Sequence, residues 1–268
     1  MLIVGELINT SRKAIKKAVE ERDAAYIQDL TRQQREAGAD YIDVNCATVL
    51  NDELGSLRWA IENIQAAGGL PCIDTPNPEA MDLGLSLTQG GQPMVNSLSG
   101  ESERYRSMLP LVLKYKARVI ALCLDDQGMP KNADDRVRVA RNLVQNLTAA
   151  GVPMGDIYLD PLVQPLSTSD SAGLEVLAAI RQIKEEFPET HIICGLSNIS
   201  YGLPQRKVLN QVFMVQTMTA GMDAYILDPL DRSMMGFLRA SQALLGQDPF
   251  CMNYLAAFRQ GLYEKAGA

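Results

Sequence analysis

Carboxylates and primary amides recur along this chain at the ends of short apolar runs: Glu6 and Asn9, Asp43 and Asn45, Asp74, Asn96, Asp125-Asp126, Asp160, Ser197-Asn198, and Asp228. None of these places holds Lys or His, which narrows the chemistry. Without a lysine there, Schiff-base catalysis is disfavoured. With His191 as the single histidine, multi-histidine zinc sites are excluded, and a Ser-His-Asp triad could draw on that residue alone. Carboxylates accept paired hydrogen bonds, and amides both donate and accept. A flat heterocycle with adjacent N–H and NH₂ groups, such as a 2-amino-4-oxopyrimidine, suits such a set. Mg²⁺ is the competing ligand, because it favours hard oxygen donors, although no D-x-D or E-x-x-E spacing recurs at these places. Any one of these residues could simply close a turn or cap a helix. Their succession argues for a shared ligand, as does the proline at or near the acid in Asp74-Thr75-Pro76, Asp160-Pro161 and Asp228-Pro229. Proline stops the strand and stiffens the turn at that point.

The elements that must position these groups alternate from end to end. Strand-like runs cover 2–7, 40–44, 70–74, 94–96, 118–124, 157–160, 191–194 and 224–227. Helical patterns follow at 12–37, broken near Asp23 and stopped by Gly38, and at 52–67, with Asp52 as N-cap. The next begins at Asn77-Pro78, with Pro at the first helical position; then come 102–116, interrupted by Pro110, 133–150, 173–186, 204–221 and 233–245. A tail at 248–268 also reads as helical. Eight strand–helix units predict an α/β protein with parallel strands joined by right-handed crossovers, most simply a single-domain (β/α)8 TIM barrel spanning 1–268. An open doubly wound sheet is the alternative, but the turn after the first run lacks G-x-G-x-x-G, and no G-x-x-x-x-G-K-[ST] loop occurs.

The 268 residues match the size of that fold. Lys plus Arg total 25 and Asp plus Glu 32, a net charge of −7, which argues against nucleic acid or an anionic membrane as partner. Five widely spaced cysteines without a C-x-x-C pair, no signal-peptide pattern and no long apolar run predict a reduced, cytoplasmic protein. Several other residues read as structural: His191 at a strand start, Cys72 and Cys194 as buried thiols, and Met214, Met218 and Met222 as helix packing. Arg12, Lys13, Lys16 and Lys17 read as a solvated helix face, or as a docking face for an acidic partner.

Particular segments then stand out: Gly5-Glu6-Leu7-Ile8-Asn9, Cys72-Ile73-Asp74-Thr75, Val95-Asn96-Ser97, Tyr158-Leu159-Asp160-Pro161-Leu162 and Gly195-Leu196-Ser197-Asn198-Ile199-Ser200. In order and strand position they resemble the pterin-binding family, and within it the methyltetrahydrofolate:corrinoid protein methyltransferases. The G-L-S-N-x-S segment is the most specific of them. The resemblance implies a barrel that holds tetrahydrofolate or 5-methyltetrahydrofolate at its C-terminal mouth. A partner protein brings the corrinoid (cobalamin-type) cofactor, and no protein-bound metal is needed. The methyl group moves between folate N5 and cobalt, in a direction set by the pathway. By the same resemblance Asp74, Asn96 and Asp160 bond the pterin ring, Gly195 and Ser197 line the pocket, Asn198 lies near N5 and Arg206 serves nearby. Asn198 and Asp160 are the expected catalytic pair, with Glu6, Asn9, Asp43, Asn45 and Asp228 as further pocket residues. A homodimer is also implied.

Two departures from the family pattern are visible. Leu7 stands where an Arg is usual, which removes any ion pair that Arg would make, and Asn45 is followed by Cys46-Ala47 in place of Val-Gly. The rival enzyme is a dihydropteroate synthase, but that family's S-x-K and R-x-H segments are replaced here by Ser197-Asn198 and Asp228-Pro229. A non-catalytic folate-binding subunit is the alternative from a different class.

Overall fold

The computed structural model describes residues 1–49 and 52–263. Strand β1 (Leu2–Asn9) is followed by α1 (Lys13–Glu20) and α2 (Ala24–Glu36), β2 (Tyr41–Asn45) by α3 (Glu53–Ala66), β3 (Pro71–Asp74) by α4 (Pro78–Leu87), and β4 (Met94–Gly100) by α5 (Ser102–Tyr115). The second half continues with β5 (Arg118–Asp125) and α6 (Ala133–Ala149), β6 (Ile157–Asp160) and α7 (Ala172–Glu186), β7 (His191–Ile192) and α8 (Arg206–Ala220), and β8 (Ala224–Leu227) with α9 (Arg232–Leu244) and α10 (Met252–Arg259). The strands are parallel, in the order β7-β6-β5-β4-β3-β2-β1-β8. A parallel bridge from Gly195 to Ile226, and a bond from Ile226 N to Cys194 O at 2.9 Å, join the two ends and close the barrel.

Closure gives every strand an inner and an outer face, with side chains alternating between them. The inner face is plugged by one apolar residue per strand: Val4, Tyr41, Cys72, Met94, Ile120, Tyr158, Ile193 and Ala224. The outer faces pack against the helices in a second, larger apolar layer that includes Ile42, Ile73, Val95 and Leu159. Two residues beyond the plug the chain points inward again. That step reaches Glu6, Asp43, Asp74, Asn96, Asp160 and Gly195, and two such steps from Ala224 reach Asp228. The polar mouth is therefore the next layer above an apolar floor.

Local signals account for most boundaries. The helical stretch expected at 12–37 breaks near Asp23 as expected: Arg22 adopts φ 55°, and Asp23 then caps α2 by accepting the N–H of Tyr26 at 3.0 Å. Asp52 caps α3 and Asn77 caps α4, with Pro78 in the first turn. Pro110 does not interrupt α5 as expected. It sits on the exposed face of a continuous helix, where water can satisfy the carbonyl it leaves unbonded. Helix α8 starts at Arg206, two residues after Pro204. Of the tail expected at 248–268, helix α10 covers 252–259, and 264–268 lie outside the described residues. Among the described residues no helix is long and apolar enough to cross a membrane.

Candidate active site

The inward residues of β2, β3 and β4 form one bonded chain. Asn45 Nδ2 donates to Asp74 Oδ2 at 2.9 Å, and Asn96 Nδ2 donates to Asp43 Oδ1 at 3.0 Å. Asp43 and Asp74 stand beside each other, close enough for their charges to interact. Burial raises both carboxyls, Asp43 well above the usual range because Asp74 adds its charge beside it. Two like charges this close favour one shared proton. Protonation of one of the pair would present a donor together with acceptors.

Asp160 faces them from β6. Burial raises its carboxyl to about 7, although the N–H groups of Leu162 and Gly195 and the charge of Arg136 pull it back. The Leu162 N–H bond is 2.8 Å long and closes a tight turn in which Leu162 takes φ 60°. Gly195 follows, and a Cβ there would stand 3.4 Å from Asn198 Nδ2. The 3₁₀ turn Leu196–Ser200 thus sets the exposed Asn198 amide beside Gly195, at the edge of the mouth nearest Asp160.

Glu6, Ser197, Arg206 and Asp228 line a neighbouring part of the mouth together. Burial raises the carboxyl of Glu6, which is opposed by Arg12 at 2.8 Å. Asn9 pairs in register with Asn45 on the rim, and its Oδ1 accepts the N–H of Ser11 at 2.9 Å. Asp228 accepts the N–H of Leu230 at 2.9 Å.

One strand end departs from the expected ring. Asp125 and Asp126 do not join it, because inward positions on β5 fall at Ile120 and Leu122 and the alternation turns Asp125 outward. Asp125 pairs with Arg138 of α6 at 2.6 Å, and Asp126 accepts the backbone N–H of Ser102 at 3.0 Å at the start of α5. The basic stretch also divides. Lys16 and Lys17 make exposed pairs with Glu20 and Glu21, each at 3.9 Å, whereas Arg12 reaches Glu6 at the mouth. Leu7 is buried, and its N–H bonds Gln34 Oε1 of α2 at 3.3 Å. The turn after Asn45 is closed by the bond from Ala47 N to Asn45 Oδ1 at 3.0 Å.

Two positioning residues gave no signal in the sequence. Arg104 of α5 donates to the carbonyls of Pro76 (2.7 Å), Thr75 (3.2 Å) and Ser97 (2.8 Å), tying the segment after Asp74 to the one after Asn96. Arg136 of α6, 1% exposed, donates to Pro161 O at 2.7 Å and Leu162 O at 3.1 Å, holding the segment after Asp160. Burial lowers both guanidinium groups from the ordinary arginine range. A basic residue one helix turn along could equally be solvated, so sequence alone does not single these out. Among the described residues no group of three or more His, Cys, Asp or Glu is placed to hold a metal ion.

The family described as "Pterin binding enzyme" matches residues 5–228. A methylcorrinoid:tetrahydrofolate methyltransferase of Eubacterium limosum is 41% identical over 97% of both chains. A methionine synthase of Mycobacterium tuberculosis is 29% identical over 85% of this chain, which corresponds to 20% of that longer protein. Among solved structures, the dihydropteroate synthase of Xanthomonas albilineans in complex with 7,8-dihydropteroate superposes with a TM-score of 0.68 at 19% identity, covering 91% of this chain and 93% of that one. That likeness speaks for the barrel, and the match over 5–228 spans all eight strands. The chain belongs to the pterin-binding enzyme family.

Proposed function

We propose that the protein is a methyltransferase that moves a methyl group between the cobalt of a corrinoid protein and N5 of tetrahydrofolate, running toward tetrahydrofolate. The observation that carries this reading is the near-full-length likeness to the Eubacterium limosum enzyme, whose name puts the methylcorrinoid first. The mouth supports it. A proton taken up by the raised Asp43–Asp74 pair would give a donor beside acceptors, which suits the 2-amino-4-oxo edge of a pterin, and Asn96 and Asp160 complete that set. Gly195 and Ser197 leave room for the ring, and Asn198 presents its amide to N5.

The corrinoid supplies the methyl group and keeps the electron pair of the carbon–cobalt bond. As the N5–CH₃ bond forms, positive charge develops on N5 and its proton leaves to solvent at the open mouth. The Asn198 amide oxygen can stabilise that charge as it grows, and Asp160 holds the ring in line. Interactions that strengthen only as charge develops lower the barrier. Positioning two large reactants for in-line displacement is the other contribution. The test is to incubate the protein with methylcobalamin and tetrahydrofolate and to quantify 5-methyltetrahydrofolate. Its appearance in step with loss of the methyl–cobalt absorbance is expected. Folate binding without transfer would support a non-catalytic subunit instead.

Two copies are proposed to associate. Leu244, Phe250 and Phe258 in the C-terminal segment are exposed apolar side chains that support this. Sedimentation equilibrium should give twice the chain mass.

A further inference from the structure

Glu6 and Asn9 both belong to the mouth, yet they stand three positions apart on one strand. Strict alternation from the interior residue Val4 would turn Glu6 and Ile8 inward and Asn9 outward. The register against β2 shows how the chain avoids this. Between the pairs Gly5–Ile42 and Ile8–Val44, β1 takes three steps where β2 takes two. The extra residue is a bulge, and it resets the alternation. Ile8 joins the outer apolar layer with Val44, and Asn9 falls in register with Asn45, whose side chain bonds Asp74 in the mouth.

A bulge takes a backbone N–H out of the ladder, and a buried one must then find another acceptor. Here it is the N–H of Leu7, and Gln34 of α2 receives it through Oε1 at 3.3 Å. Gln34 is 0% exposed. Its amide fills the space beside Gly5, where a Cβ would collide with Oε1, so this glycine serves the close approach of helix to strand. Nε2 of Gln34 finds no acceptor among the described residues. A buried donor left unpaired is costly, so the amide is kept here for its oxygen.

We propose that Gln34 is a positioning residue for the folate site: it holds the bulge at Leu7 and thereby keeps Glu6 and Asn9 facing the ligand together. The inference rests on the folate reading above. Without the Gln34 oxygen, the N–H of Leu7 regains a partner only if the bulge is lost. Losing it carries Ile8 into the mouth and Asn9 out of it.

Calorimetry with tetrahydrofolate on a set of variants tests this. Gln34→Leu, which keeps the bulk and removes the acceptor, should weaken binding about tenfold. Gln34→Glu keeps an oxygen facing the N–H of Leu7 and should bind within about threefold of the wild type. In the Glu6→Ala/Asn9→Ala background, where the mouth has already lost both side chains, Gln34→Leu should add less than about twofold. Wild-type affinity in Gln34→Leu, equal losses in Gln34→Leu and Gln34→Glu, or the full loss added again in the Glu6→Ala/Asn9→Ala background would each overturn the proposal. A wild type that binds no tetrahydrofolate would overturn the folate reading, and this inference with it. Should Gln34→Leu not fold, Gln34→Asn, which withdraws the acceptor by one methylene, is held to the same results.

Discussion

At the scale of single residues, the site works by where it keeps protons. Burial raises the carboxyl of Asp160 to about 7, which brings its titration into the neutral range. If the proposed pterin donates N–H groups to it, the ionised form is favoured and binding releases its proton. Folate affinity should therefore fall as pH drops through 7, by about fivefold from pH 7 to 6 and approaching tenfold per unit below that. Calorimetry in buffers of different ionisation enthalpy would register the released proton. Asp160→Asn should weaken binding and flatten this pH dependence; unchanged affinity would remove Asp160 from the pocket. Asn198 carries a different expectation. It is exposed and makes no side-chain bond among the described residues, so Asn198→Ala should leave stability within about 0.5 kcal/mol. It should slow methyl transfer by at least about a hundredfold while weakening folate binding far less. Equal losses in rate and affinity would make Asn198 a binding residue only. The residue types at these positions were legible in the sequence. The closeness of Asp43 and Asp74, which raises both carboxyls, was not, because it depends on two strands bringing them together.

At the scale of elements, the alternation of side chains decides which strand ends matter. Counting strand ends in the sequence places Asp125 in the ring, whereas counting by twos from the interior residue Ile120 places Leu122 there and sends Asp125 out to Arg138. The register of a strand against the barrel interior is the missing information, and it exists only once the barrel is closed. The two arginines show the same limit. Arg104 and Arg136 sit on outer helices and reach segments 28 and 25 residues away at Pro76 and Pro161, and their partners are backbone carbonyls that no residue pattern encodes. Arg136→Met should cost about 3 kcal/mol in urea denaturation, since it leaves buried carbonyls unpaired. It should also weaken folate binding by freeing the turn behind Asp160. A variant as stable as the wild type with intact folate affinity would contradict that role.

At the scale of the whole molecule, the barrel depends on a short final seam. Strand β7 spans only His191–Ile192, and Asp223 secures the join from below. Its carboxylate accepts from Lys184 Nζ at 2.9 Å and Ile192 N at 2.9 Å, and it lies 3.0 Å from His191 Nδ1. His191 in turn stacks on Tyr158, with ring centroids 4.6 Å apart. The single histidine thus belongs to the floor, remote from the mouth. Burial opposes the charge of Asp223, yet bonds from His191, Ile192 and Lys184 hold its carboxyl below the usual range. A lowered native value means that its stabilisation is present above the unfolded carboxyl range and is lost as pH falls through the native one. Asp223→Ala should cost about 2–3 kcal/mol at pH 7, and the gap to the wild type should narrow below about pH 4. A gap that is constant with pH would assign the loss to packing. The eightfold alternation of strand and helix was legible because periodicity and caps are local, whereas this seam joins residues of β7, α7 and β8. In the proposed reaction the barrel holds one reactant in its mouth while a second protein presents the other. The measurement that tests this most directly is single-turnover mixing of the protein and tetrahydrofolate with a methylated corrinoid protein, followed by absorbance. Loss of the methyl–cobalt band with one equivalent of 5-methyltetrahydrofolate formed is the expected result. A band that persists while tetrahydrofolate is bound would contradict the account.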